Sequence, residues 1–390
     1  MSIDTIFLDY QASTPLDTSV YLAMQPYLTE YYANPHSSDH ILGWQSQQAI
    51  ESARHSIANA INADTDEIIF TSGATESNNL AIKGLMKYLK KQGKTTIITS
   101  AIEHKCVISS FEYLSNEGFD VIELPATHDG FILPERLESV MTESVGLVSV
   151  MLVNNEIGTI QAVEELAYIS HKYNAIFHTD AAQAPVFMNL DVRKYDVDLL
   201  SLSSHKVYGP KGVGALFIKR DKKQFMEPIM HGGGQEGGIR SGTLPTPLCV
   251  GFGKAVEFMA STYDQNYSKL STLSETFLVE LSNVVPEISV NGATINRHPG
   301  NLNIRFHGFD SKDLLQFLQP KIAASTGSAC STGVEEPSYV LTAIGLSLQE
   351  ASESVRFSFG LDQNNDLMRE AARFIGDKIK ERNSIMNGNT

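Results

Sequence analysis

A chain of 390 residues is too long for one small core and implies two units. Its 42% hydrophobic and 19% charged content is ordinary for a globular protein, and a net charge of −15 argues against direct binding to nucleic acid, which needs clustered Lys and Arg. The start, Met1-Ser-Ile-Asp4, lacks a secretory pattern, no run approaches the roughly 18 apolar residues of a membrane span, and the scattered Cys106, Cys249 and Cys330 suit a reducing cytoplasm.

From about residue 50 to 260, short apolar runs alternate with helix-length amphipathic stretches. The runs 67–70, 95–99, 146–153, 175–178, 198–202 and 214–218 are almost continuously apolar, the pattern of strands buried on both faces of a mostly parallel sheet. Helices are predicted between them, at 77–91 and 163–173, giving an α/β layered unit. A long helix over 251–282 bridges to a second unit. There, strands are predicted at 301–306, 323–325 and 354–359 and helices at 311–318, 337–344 and 365–382, an α+β arrangement. A polar tail from Asn383 is expected to fray.

Three strand-end features carry chemistry. Phe70-Thr-Ser-Gly-Ala-Thr-Glu-Ser77 opens a helix with small and hydroxyl residues, which makes either a plain N-cap turn or a phosphate seat at the positive end of the helix dipole. Asp180, in His178-Thr-Asp-Ala-Ala-Gln183, is either a helix cap or the partner of a protonated pyridine nitrogen. Lys206 ends the run 198–206 and enters Val207-Tyr-Gly-Pro-Lys-Gly212; a desolvated lysine there is a candidate for Schiff-base formation. His104, in Glu103-His-Lys105, also follows a strand and is placed to stack on a flat ring, although a lone histidine is as readily structural. Together these point to pyridoxal 5′-phosphate. No His or Cys pair has metal-ligand spacing.

Thr71-Ser-Gly-Ala-Thr-Glu-Ser77-Asn-Asn79, Glu103-His-Lys105, Val153-Asn-Asn-Glu-Ile-Gly158, His178 to Gln183, His205-Lys-Val-Tyr-Gly-Pro-Lys-Gly212, Gly232-Gly-Gly234 and Arg240-Ser-Gly-Thr243 occur in one order along the chain. In that order they resemble the NifS/IscS-type cysteine desulfurases, fold-type I enzymes of the class V aminotransferase kind. The resemblance implies a large cofactor-binding domain over 15–260 and a small domain from 1–14 and 261–390. It makes Lys206 the lysine bonded to the cofactor, Asp180 the partner of the ring nitrogen, Gln183 that of the ring hydroxyl, and His104 the stacking residue. Ala74, Thr75, Ser203, Ser204 and His205 would surround the phosphate. Thr243 would reach it from the other subunit of a homodimer.

Cys330 sits in Ser325-Thr-Gly-Ser-Ala-Cys-Ser-Thr-Gly333, small residues that cannot build a core and suit an accessible loop. That loop, followed by Glu336-Pro-Ser-Tyr339, resembles the family's nucleophile loop. Cys249 and Cys106 have apolar neighbours and are expected to pack. Arg356 is similar to the residue that grips the substrate carboxylate, where a guanidinium bonds in two places; Asn155 and Asn34 are expected helpers. The implied reaction takes L-cysteine to alanine. Lys206 moves the α-proton, His104 accepts a thiol proton, and sulfur is left on Cys330 as a persulfide for an acceptor protein in iron–sulfur assembly, tRNA thiolation or DNA sulfur modification. Cys330 is also a candidate transient iron–sulfur ligand. A selenocysteine lyase or a class V aminotransferase would share the cofactor residues. Gly237-Gly238 in place of an arginine–glycine pair, and an end at Thr390 without the family's extended tail, argue against IscS-type scaffold partners and leave DndA-type relatives open.

Overall fold

Seven strands form the main sheet, in the spatial order Ile68–Thr71, Gly214–Ile218, Leu199–Ser203, Ile176–Asp180, Val145–Ser149, Thr96–Ser100 and Asp120–Leu124. The computed structural model describes residues 5–327 and 337–388. Only Gly214–Ile218 runs antiparallel to its neighbours; the other pairs are parallel. Every residue of the five strands between the two edges is buried. Helices therefore cover both faces, which is why these strands read as continuous apolar runs and not as alternating ones.

The differences from the sequence reading have local causes. The edge strand Asp120–Leu124 escapes it because two acids, Asp120 and Glu123, face solvent from an otherwise β-like segment. The predicted strand 146–153 stops at Ser149, after which Val150 and Leu152 donate to the carbonyls of His178 and Asp180 at the neighbouring strand's end. The predicted helix 77–91 begins at Ala74 and divides into Ala74–Lys83 and Met86–Lys91. Gly84 lies at the break, its carbonyl taken by the Glu227 N–H (2.9 Å).

Helix Thr246–Val284 has 39 residues, a length of about 58 Å. It lies against helix Ile41–Ala60 so closely that a Cβ on Gly253 would be 2.7 Å from the Ala53 Cα. Its far end meets helix Asn365–Gly388, which continues through the tail expected to fray. In the second unit, Asn301–Phe306 is the centre of a three-stranded antiparallel sheet between Ile288–Asn291 and Ser354–Ser358. The chain's start joins it: Ile6–Phe7 pairs in parallel with Ile322–Ala323, and Asp9 bridges to Ser358. One apolar cluster runs from Ile6 through the main sheet to Ile379. Among the described residues, no helix is long and apolar enough to cross a membrane.

The start of strand Leu199–Ser203 is tied by charge. Asp198 is buried, accepts from the Phe177 N–H (2.9 Å) and lies 2.8 Å from His171 Nε2. The bond to Asp198 raises the His171 pKa above its usual value, burial opposes it, and Asp196 adds to the rise. A raised histidine pKa stabilises the fold fully below the unfolded value and loses that contribution as pH climbs through the folded one. Replacing His171 by Gln should therefore lower the melting temperature most at pH 6 and least at pH 9. A penalty independent of pH in paired thermal scans would contradict this.

Candidate active site

The parallel strands end on one side of the sheet, and their carboxyl ends open into a cavity of about 510 Å³. Such crevices are where ligands bind in open α/β sheets. After Leu199–Ser203 a single 3₁₀ turn, Ser204–Lys206, swings Lys206 into the cavity. Its Nζ donates to the carbonyls of Gln11 (2.5 Å) and Ala12 (2.9 Å). Asp180 closes strand Ile176–Asp180 from the facing side. One carboxylate oxygen accepts from the Ala182 N–H (2.9 Å) and the other from Asn78 Nδ2 (2.7 Å). No helix begins after Asp180, so the cap reading fails: the bond to Ala182 closes a turn, while the carboxylate lines the cavity. Gln183 also lines the cavity and donates to the Gln11 carbonyl (3.1 Å).

The turn between Ile68–Thr71 and helix Ala74–Lys83 forms another wall. Gly73 has φ 150°, a conformation that disfavours any side chain. Gly214 must stay bare as well, since its Cβ would lie 2.6 Å from the Gly73 Cα. Ala74 and Thr75, in the helix's first turn, line the cavity beside Ser203 and His205. The first N–H groups of a helix have no partner within it. The Ser203 hydroxyl is buried with no hydrogen-bond partner. Glu76 belongs to this wall; burial would raise its pKa, but bonds from Arg240 (2.8 Å) and from Ser72 hold it below the usual carboxylate range. Ser204 does not line the cavity: its hydroxyl points under Gly209, whose Cβ would be 2.1 Å away.

His104 caps helix Lys105–Asn116, its Nδ1 accepting from the Cys106 N–H (3.3 Å) and lying 3.0 Å from Cys106 Sγ. Burial lowers the His104 pKa, with Asp180 opposing and Lys206 reinforcing the effect, so the imidazole is neutral near pH 7. Cys106 packs against an apolar cluster with Val107, as expected, and also lines the cavity, 3.2 Å from Asn78 Nδ2. Cys249 is fully buried in the apolar core, as expected.

Arg356 enters from the second sheet. It donates to the Asn155 carbonyl (2.9 Å) and to Asp9 (2.7 Å), while its buried Nε has no partner. Asn155 shares this wall; Asn34 and Thr243 do not, and both are exposed. Asn34 turns its side chain back to accept from the His36 N–H (2.9 Å). Cys330 lies outside the described residues, although Gly327, close before it in the chain, lines the cavity. Sequence reasoning passed over Gln11, Asn78 and Asp9; Asn78, one helical turn past the Gly73-Ala-Thr75 turn, carried the only local signal. Among the described residues, no group of three His, Cys, Asp or Glu side chains is arranged to hold a metal ion.

The family described as "Aminotransferase class-V" matches residues 6–367. The chain belongs to that family. Within it, the cysteine desulfurase IscS of Rickettsia akari (strain Hartford) is 43% identical over 374 residues, 96% of this chain and 91% of the relative. Among solved structures, a NifS-like protein superposes with a TM-score of 0.90 at 32% identity, covering 96% of this chain and 99% of that one. SspA in complex with cysteine superposes at 0.80 with 40% identity, over 91% of this chain and 99% of that one. This class-V member therefore carries the fold-type I architecture that the sequence motifs resemble.

Burial, and then the charge of Asp180, push the Cys106 thiol up to about 12. A free cysteine titrates near 8.5, so Cys106 should react with iodoacetamide at pH 8 about 100-fold or more slowly than free cysteine. Peptide mass spectrometry over a time course checks this; labelling at the free-thiol rate would contradict it.

Proposed function

We propose that this class-V protein is a cysteine desulfurase that converts L-cysteine to alanine and holds the released sulfur on Cys330 as a persulfide for an acceptor protein. The observation that carries the reading is the set of groups meeting in one cavity: Lys206 Nζ, the Asp180 carboxylate, the neutral His104 imidazole and the Arg356 guanidinium.

The same walls fit pyridoxal 5′-phosphate. The unpartnered Ser203 hydroxyl beside a helix N-terminus suits a phosphate, with Ala74, Thr75 and His205 adjoining it. Asp180 would hold the ring nitrogen, Gln183 the ring hydroxyl, and His104 the ring face. When bound, the cofactor supplies the electron sink that lets an amino acid lose its α-proton. The chain's own groups do the rest. Arg356 binds the substrate carboxylate, for which its unpartnered Nε is available, with Asn155 fixing the guanidinium. Lys206 Nζ carries the α-proton, and His104 accepts the proton of the Cys330 thiol, leaving the thiolate. Cys330 sulfur bonds the substrate sulfur as the Cβ–S bond breaks, and the carbon skeleton leaves as alanine. The atoms balance: cysteine and an enzyme thiol become alanine and an enzyme persulfide.

The proposal includes a homodimer. Tyr31, Tyr32, Ile41, Leu42 and Trp44 are all exposed in the chain around Asn34, and clustered exposed apolar side chains mark association faces. Thr243 and Asn34 would serve the partner's cavity across that face. The setting is a reducing cytoplasm, in which Cys106 and Cys249 stay as thiols.

Replacing Cys330 by Ala should leave the cofactor absorbance intact and lower sulfide release from L-cysteine by about 1,000-fold. Replacing Lys206 by Ala should remove the borohydride-fixed cofactor from the protein. Undiminished sulfide release by the Cys330→Ala protein would overturn Cys330 as the sulfur carrier; a wild-type protein that releases no sulfide from L-cysteine but forms a keto acid, or acts only on L-selenocysteine, would favour an aminotransferase or a selenium-selective lyase.

A further inference from the structure

Glu156 is a carboxylate that the reaction above does not use, and it is almost wholly buried. Its backbone is fixed on both sides. Its N–H donates to Asn154 Oδ1 (2.8 Å), and its carbonyl accepts from the side chains of Asn301 (3.1 Å) and Asn303 (3.3 Å). Asn155, its neighbour in the chain, holds Arg356 through the carbonyl. A buried acid in so rigid a place requires a partner.

Both ends of the stretch that includes Cys330 meet this carboxylate at one atom. Ser338 Oγ lies 2.5 Å from Glu156 Oε2. The Ser338 hydroxyl also accepts from the Leu341 N–H (3.2 Å), capping the helix Tyr339–Ala343, so its own proton is directed to Glu156. Gly327 approaches the same Oε2 from the other end: a Cβ there would be 2.9 Å from it, and the Gly327 φ of +86° disfavours a side chain in any case. Tyr339 adds a bond from its hydroxyl to the carbonyl of Glu103 (2.5 Å), next to His104.

We infer that Glu156 is a positioning residue for Cys330: one carboxylate oxygen bonds the Ser338 hydroxyl and packs against Gly327, and so fixes the residues on either side of that segment relative to Arg356 and the cavity. The inference rests on the desulfurase reading, since it gives that segment its task. Glu156 does not line the cavity. It acts through the two ends, and its loss should slow sulfur transfer to the protein without weakening capture of the amino acid.

The test uses the holoenzyme with Glu156→Ala, Glu156→Gln, Ser338→Ala and, as a control, Cys330→Ala. One readout is the change in cofactor absorbance as L-cysteine is titrated; the other is the rate at which labelled sulfur from L-cysteine becomes protein-bound. Glu156→Ala should slow sulfur loading by about tenfold or more while the half-saturating concentration stays within about twofold, a loss confined to the chemical step. Glutamine keeps an acceptor oxygen for Ser338 and should recover loading to within about threefold. Ser338→Ala should resemble Glu156→Ala, and the double variant should lose little more. Should alanine at 156 prevent folding, the Ser338→Ala and Glu156→Gln proteins decide the matter. Wild-type loading rates in Glu156→Ala, or in Ser338→Ala, overturn the inference; so does a loss that appears only as weaker saturation. Sulfur loading that persists in Cys330→Ala sinks the desulfurase reading itself. No loading in that control, with normal loading in the others, sinks only the role of Glu156.

Discussion

The Arg356 guanidinium joins three parts of the molecule that are far apart in the chain. It stands in the second sheet, bonds Asp9 in the N-terminal segment, and bonds the carbonyl of Asn155 beyond the main sheet. Breaking a buried ion pair on one side costs on the order of 3–5 kcal/mol, because the remaining charge is left in a poor medium. Asp9 precedes Gln11 and Ala12, whose carbonyls receive the Lys206 amine. The cation that is proposed to bind substrate thus also seats the wall that positions the lysine. Substrate binding and lysine placement share a support.

The electrostatic setting follows from the parallel sheet. Strand ends place Glu103, His104, Cys106, Asp180 and Lys206 within reach of one another, where little water can screen them. Burial, with a contribution from Asp180, pushes Glu103 up to about 8. Burial keeps His104 neutral and Cys106 a thiol. Asp180 and Lys206 line the same cavity, the carboxylate and the amine that the proposed cofactor ring and its proton transfer would require.

Much of this is legible in the sequence because it depends on local pattern. The continuous apolar runs report strands covered on both faces, and a residue just past such a run lies at a strand's carboxyl end; Asp180 and Lys206 are both found that way. The helix break at Gly84 is not legible, because its cause is the Glu227 N–H far along the chain. Gln11 escapes notice for the same reason: its amide oxygen meets Asn301, 290 positions away. Cys106 is half legible: its apolar neighbours Val107 and Ile108 point to packing, which it does, but nothing local shows that it also lines the cavity beside Asp180. Periodicity reports which face is buried; it does not report whether the buried face meets core or cavity.

The central claim is that sulfur moves from a free amino acid to one particular cysteine while nitrogen stays on the carbon skeleton. Brief incubation of the holoenzyme with L-cysteine in the absence of reductant, followed by peptide mass spectrometry and amino-acid analysis, measures both products at once. The account predicts one additional sulfur atom on the peptide containing Cys330, none on those containing Cys106 or Cys249, and alanine equal in amount to the sulfur bound. Additional sulfur on Cys106, or pyruvate in place of alanine, would contradict it.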